Sequence, residues 1–279
     1  MTIFQSSNKT GSAGEWHQVL SFFSGFNGLS QTVIDSGRIY QGYPAMTHML
    51  RINGKISFNS NHPVLNGVAK NEKPTTLAIP APAHLLSLLL NETEWRRYYA
   101  VTDELVSDIA NAYGQLFDAA YKLGFGKIIL NDYAWLSLMD DVQYNRLIQG
   151  GIDVNHYTNH LIEVNNRAIK SFSSEIEIIH HIIRCENQQS LMVGSYSQIA
   201  SRLFPAIQAD IVRLDFDIAS NNDYSVLAYL PDHVFIELSC DVHSLSEYTV
   251  KTLEVETIKA AKCHTKNKIS VIPQDNLFV

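Results

Sequence analysis

The stretch EIEIIHHIIRCENQQ, Glu175 to Gln189, decides the fold. Its apolar residues run on without alternating with polar ones, which marks a strand covered on both faces, as strands of a parallel sheet are. At its end stand two histidines, an arginine and a cysteine. Successive side chains of a strand point to opposite faces, so His180 and His181 face opposite sides of the sheet. Five more runs are rich in Ile, Val and Leu: TTLAIP (75–80), KIILND (127–132), DIVRLDFD (210–217), HVFIELSC (233–240) and KISVIP (268–273). Helix-length segments separate them. ETEWRRYYAVTDELVSDIANAYGQLFDAAYKLG has apolar residues at helical spacing and stops at Gly124, and SEYTVKTLEVETIKAAK repeats the pattern after Ser244 or Ser246. Strands alternating with crossover helices predict an α/β fold with a parallel sheet, and six such units suit a (β/α)8 TIM barrel better than a short doubly wound sheet.

The first seventy residues break this rhythm. RIYQGYPAMTHMLRINGKISFN, within 38–60, reads as a β-hairpin turning at Asn53-Gly54. No repeat, low-complexity tract or linker divides the chain, so residues 1–279 are expected to form one barrel domain with that hairpin as an elaboration.

A chain of 279 residues, 46% of them hydrophobic, can bury a large core. The net charge of −7 is spread along the chain, and no basic cluster alternates with aromatics, which argues against nucleic acid as a partner. MTIFQSSNKTGSAGEW lacks the pattern of a signal peptide, and no apolar run reaches the roughly 18 residues of a membrane span. Those features point to a soluble, cytoplasmic protein without a membrane partner. Cys185, Cys240 and Cys263 are odd in number and show no C-x-x-C spacing, so neither a disulfide framework nor a zinc knuckle is indicated.

In a parallel barrel the chemistry sits at the C-terminal ends of the strands. Polar residues gather there: His84 after the first run, Asn131, Asp132 and Trp135 after the second, His181, Arg184 and Cys185 after the third. Asp215 and Asp217, then Ser239, Cys240, Asp241 and His243, then Asp275 follow the others. These segments resemble the catalytic barrel of cobalamin-independent methionine synthase and its short, single-barrel relatives. Gly14-Glu15-Trp16 and SFFSGFNGLS (21–30) are similar to the family's D-G-E-aromatic segment and the stretch after it. GKISFNSNHP (54–63) matches G-K-I-x-F-x-x-H-P, IPAPAHL (79–85) matches I-P-S-P-x-x-L, and LNDYAW (130–135) matches L-D-D-T-A-W. HIIRCE (181–186) stands for H-I-C-R-G-N, LDFD (214–217) for L-E-Y-D, DVHS (241–244) for D-I-H-S and IPQDNL (272–277) for S-P-Q-C-G-F. The matches follow in order over residues 14 to 278.

The resemblance implies methyl transfer from a folate or simpler donor to homocysteine or another thiol, without cobalamin. It places zinc, which activates the thiol, at positions that read His181, Ile183, Asp215 and Asp275 here. Both family thiolates are thus absent. A set of His181, Asp215 and Asp275, with Asp217 nearby, suits Mn, Fe or weakly held Zn better than a thiolate zinc. The resemblance also implies substrate contacts from Glu15, Asn131, Asp132, Trp135 and Ser239, with Asp132 and His243 as catalytic residues. Asn131 replaces an acidic residue of the family and cannot supply the same charge-assisted hydrogen bond. The family's first strand has no counterpart, so the barrel needs MTIFQ, a second copy or a companion chain at its open edge.

Other readings stay open on the residues alone. His181 is also explained as a core histidine satisfied by a carbonyl. Asp215 and Asp217 share a face, where a metal or an arginine such as Arg184 would relieve their repulsion, so a structural salt bridge and a functional site both account for them. The alternative function is a degenerate, catalytically inactive barrel serving as a binding or regulatory subunit. A third is a different reaction on a uroporphyrinogen decarboxylase-like barrel, whose arginine-rich signature is absent here.

Overall fold

The computed structural model describes residues 12–40, 43–66, 76–173, 175–184, 194–216, 223–240, 260 and 268–273, with backbone alone at 12–15, 35–40, 43–46, 66, 240 and 273. Its strands are β1 (Asn27–Tyr40), β2 (Tyr43–Ser57), β3 (Thr76–Pro80), β4 (Lys127–Asp132), β5 (Glu177–Ile182), β6 (Ile211–Phe216), β7 (Phe235–Cys240) and β8 (Ile269–Pro273). The α-helices are α1 (Ser12–Phe23), α2 (Pro63–Asn66), α3 (Pro82–Leu90), α4 (Thr102–Lys122), α5 (Leu136–Met139), α6 (Asp141–Gln149), α7 (Val154–Ser171) and α8 (Ala200–Leu203).

All six apolar runs of the sequence are strands of one sheet, in the order β3-β4-β5-β6-β7-β8, and every pairing in it is parallel. Six strands are described where the sequence reading expects an eight-stranded barrel, and among the described residues β3 and β8 each pair on one side only. Helix α1 lies against β3, with Phe23 fully buried. One face of the sheet meets the helices: Ile128, Leu130, Ile178, Ile182, Val212 and Leu214 are buried there. The opposite face, which would line the lumen of the barrel expected from the sequence, is the lumen face.

Local chemistry accounts for the element ends. Asp153 caps α7 by accepting from the backbone N–H groups of Asn155 and His156 at 2.9 and 3.1 Å, and Asp140 caps α6 through Gln143 N–H at 2.9 Å. Gly124, with φ of +99°, ends α4 where the sequence places its stop, and Phe125 N–H returns to Ala120 O at 3.2 Å. The expected helix over 246–262 lies outside the described residues apart from Ala260.

The hairpin corrects the sequence reading. It spans Asn27–Ser57, with Tyr40 paired to Tyr43 at the end of the ladder, and Asn53-Gly54 lies inside β2 rather than at the turn. There the register shifts between Asn27 and Leu29, opposite Gly28. Gly28 has φ of +82°, and a Cβ on it would stand 2.4 Å from Lys55 O, so the pair N-G serves a bulge rather than a turn. Leu29, Ile52 and Ile56 join the common core, and Ile56 N–H donates to Tyr99 Oη at 2.6 Å, which docks the hairpin beside α4. No helix among the described residues is long and apolar enough to cross a membrane.

Candidate functional site

Register places a polar row across the lumen face. Asn131 pairs with His181, His181 with Arg213, Arg213 with Glu237, and Glu237 with Ser270, so five successive strands each give one polar residue to the same line. One step toward the strand ends, Asp215 pairs with Ser239. One step the other way, Ile129, Ile179, Ile211 and Phe235 form an apolar row. Barrel interiors are ordinarily filled with branched apolar side chains, so charged residues in mid-strand need partners.

His181 is the hub. Its Nδ1 lies 3.1 Å from Asn131 Oδ1 and its Nε2 lies 2.9 Å from Asp215 Oδ1, with all three residues buried. Both ring nitrogens thus meet oxygen atoms of neighbouring side chains. Asp215 is itself held: Arg184 N–H donates to Oδ2 at 3.2 Å. Its own N–H donates to Tyr196 Oη at 2.8 Å, and that hydroxyl donates to Ile182 O at 2.8 Å. Tyr196 thus joins β5 to β6 beyond their last paired residues. The partner expected for Asp215 was a metal or an arginine such as Arg184. Among the described residues an imidazole and a backbone amide meet Asp215, and Arg184 Nε donates to Gly194 O at 2.9 Å.

Asp132 and Trp135 stand on the other side of the sheet, because Asp132 is one residue beyond Asn131 and strand neighbours alternate. Asp132 Oδ2 receives Trp135 Nε1 at 2.7 Å, Asn165 Nδ2 of α7 at 2.8 Å and His180 Nε2 at 2.8 Å, and Oδ1 receives Ala134 N–H at 3.2 Å. Burial pushes this carboxyl up, and the His180, Asn165 and Trp135 hydrogen bonds more than offset it, so its pKa lies below the usual carboxylate range. Asn165 Oδ1 accepts from Ala83 N–H at 2.8 Å, which ties the start of α3 into the same network. With Asp132 and Trp135 both fully enclosed, they hold strand ends and helices together, and the contacts they make do not include the lumen row. His180 faces the helices as alternation requires.

The remaining expected residues divide by what is described. Ser239 is buried on the lumen face beside Asp215. Glu15 is carried on α1, next to Trp16, whose ring meets His84 at 5.6 Å and Tyr133 at 6.3 Å between centroids. His84 is 2% exposed, its Nδ1 has no hydrogen-bond partner, and burial lowers its pKa to about 4. His243, Asp275, Asp217, Asp241 and Cys185 lie outside the described residues, as does the side chain of Cys240.

Among the described residues, no thiolate stands at the strand ends to hold a zinc. Ile183, at one thiolate position, is fully buried, and both nitrogens of His181 are engaged. The group among the described residues that could hold a metal ion is elsewhere: Asp103 at the start of α4 with His160 and Glu163 of α7. Among the described residues His160 Nδ1 has no hydrogen-bond partner, and it lies 3.9 Å from an oxygen of each carboxylate. Those separations suit ligands around one small cation better than hydrogen bonds.

Arg213 and Glu237 were missed from sequence. Arg213 Nε and Nη2 both lie 2.8 Å from Glu237 Oε2. Their signal was legible: a lone charge amid the apolar residues of DIVRLDFD and HVFIELSC, on the same alternation as Asp215 and Ser239.

No family model and no curated protein matches the chain. Solved structures do. A protein assigned as a vitamin B12-independent methionine synthase from Listeria monocytogenes matches with a TM-score of 0.66 and 19% identity, over 95% of this chain and 73% of that one. A B12-independent methionine synthase from Shewanella sp. W3-18-1, solved in complex with selenomethionine, matches with a TM-score of 0.59 and 17% identity, over 92% of this chain and 71% of that one. Identity this low speaks for the fold. The chain therefore has the fold of the B12-independent methionine synthases, the resemblance its ordered motifs carry.

Proposed function

We propose that this protein is a methyltransferase-type barrel acting on a small sulfur compound at the lumen row, moving a methyl group from a folate-like or simpler donor to a thiol. The observation that carries this reading is His181 held between Asn131 Oδ1 and Asp215 Oδ1 on the lumen face. In R–SH + CH3–X → R–S–CH3 + H–X, the S–H and C–X bonds break and the S–C bond forms. The thiol proton passes to the Asp215 carboxylate, whose side chain keeps 10% exposure, and from it to the leaving group, while the buried His181, held by Asn131, orients that carboxylate. Asn131 and Tyr196 fix the two strands that carry the pair. Asp132 acts at one remove, as a positioning residue. No step passes through a metal. The shared fold and the Shewanella protein's complex with selenomethionine, a methyl-bearing amino acid, support this substrate class.

The test is methyl transfer to homocysteine and to simpler thiols, with and without chelator, for the wild type, His181→Ala and His181→Asn. Turnover that survives the chelator and falls about a hundredfold or more in both variants supports the acid–base pair. Turnover that requires added zinc, or that ignores His181, removes it. A second reading is favoured by Ile183 at a thiolate position and by the one-sided pairing of β3 and β8: a catalytically silent barrel completed by a second copy or companion chain. Absence of turnover with every thiol, together with a stable complex on copurification, would select it.

A further inference from the structure

We propose that Asp103, His160 and Glu163 bind a divalent first-row transition metal ion, and that this ion staples the first turn of α4 to the middle of α7 within the helix layer. The site is separate from the lumen row, and neither depends on the other.

The spacing of the three groups is the first argument. His160 Nδ1 is enclosed, has no hydrogen-bond partner among the described residues, and lies 3.9 Å from both Asp103 Oδ1 and Glu163 Oε2. One ligand atom from each residue lies within 4.8 Å of the others. An ion equidistant from three atoms so spaced stands about 2.3–2.5 Å from each, close to the bond lengths of divalent cations with oxygen and imidazole donors. Helix α7 supplies an internal comparison. One turn earlier, His156 meets Asp153 at 2.8 Å, a hydrogen bond that leaves no room for an ion. His160 has two carboxylates within reach and closes on neither, and the gap it keeps is the width that a cation fills.

The support around the ligands is the second argument. His160 and Glu163 are three residues apart on one helix, so their side chains share a face. Arg167 gives one nitrogen to Glu163 Oε1 and another to Ser107 Oγ of α4 at 2.7 Å, which keeps Oε2 turned toward His160. Ligating carboxylates are ordinarily fixed by such an outer partner. Two carboxylates around one imidazole repel each other unless a cation lies between them. One nitrogen and two oxygens form a mixed donor set that suits Mn, Fe or Zn, and because Asp103 is exposed, water reaches the remaining coordination positions. The clamped helix also carries Asn165, which holds both Asp132 and Ala83 N–H, so the staple steadies the helix that anchors the sealed network.

The test is calorimetric titration of the whole protein, freed of metal by chelator and dialysed, with zinc and with manganese at pH about 7.5, where imidazole is ordinarily neutral. Wild type is compared with His160→Ala, Asp103→Asn, Glu163→Gln, Arg167→Gln, His156→Ala and His181→Ala, each first shown to melt cooperatively. Zinc is expected to bind wild type at this site, and Arg167→Gln to weaken it about tenfold, because that side chain acts only through Glu163. Each of the three ligand variants weakens it further, while His156→Ala and His181→Ala leave it unchanged. Hydrogen exchange reads the staple: zinc slows exchange at the start of α4 and in α7 together, in wild type and not in His160→Ala. Binding that survives His160→Ala, or that falls as much in His156→Ala, reduces the metal to adventitious surface ions and overturns the proposal. Binding lost in His181→Ala and kept in His160→Ala overturns it in favour of the strand ends. Zinc held by these three residues without protection of both helices overturns the staple.

Discussion

Two histidines one residue apart lead opposite lives. His180 closes a sealed network with Asp132, Trp135 and Asn165 between sheet and helices, where four donors converge on one carboxylate. His181 lies on the lumen face between Asn131 and Asp215, in line with Arg213 and Glu237. The seam of β4 and β5 therefore carries a structural pair behind and a candidate chemical group in front, and motif similarity by itself does not separate the two. Alternation does.

The comparison breaks most directly on Asp132. Asp132→Ala strands His180, Asn165 and Trp135 in the core, and is expected to cost about 3–5 kcal/mol in urea unfolding, the penalty for removing one partner of a buried pair. A loss under about 1 kcal/mol would mean that the network is not structural.

Acid comes next in size. His84 is neutral in the fold, with a pKa of about 4 against 6.5 when unfolded, so the unfolded chain binds more protons between these values. Stability is full above pH 6.5 and falls as pH drops to about 4, by about 3 kcal/mol for this residue. His62, also lowered to about 4 by burial, adds in the same direction. Asp132, whose pKa is lowered, loses its contribution only at still lower pH. His84→Phe should flatten the acid limb of a denaturation series. An unchanged limb would show that His84 is already protonated in the fold.

Of smaller size is the effect expected at the front of the seam. His181→Ala should leave the unfolding midpoint closer to wild type than Asp132→Ala does, while turnover drops about a hundredfold, or about 2.7 kcal/mol. Reversal of that order, with Asp132→Ala folded and inactive and His181→Ala unfolded, would exchange the roles given to the two faces.

The smallest effect concerns metal. Zinc at about ten times its Kd should raise stability by about 1.4 kcal/mol through Asp103, His160 and Glu163, and His160→Ala should abolish the gain. If His181→Ala abolishes it and His160→Ala does not, the metal belongs to the strand ends after all.

How much of this was legible varies by element. The six parallel strands were, because runs rich in Ile, Val and Leu recur between helix-length segments, as strands joined by crossover helices do. The stop of α4 at Gly124 was, because only glycine takes φ of +99° there without strain. Asn53-Gly54 misled, since the residues that suit a turn also suit a bulge, and only the partner strand decides between them. The motif LNDYAW reads as one site in sequence, and the pleat divides it, with Asn131 on one face and Asp132 on the other.

By itself the sequence determined the class of fold, the order of its strands and which face each strand residue would take, because these follow from periodicity and local propensity within a few residues. The tertiary structure decided which groups meet: that Asp215 finds His181, that Arg213 finds Glu237 on the next strand, and that Asp132 is enclosed by a helix residue 33 positions away. Those pairings depend on strand register and helix docking. Both are set by the packing of the whole core, and no local stretch of sequence encodes them.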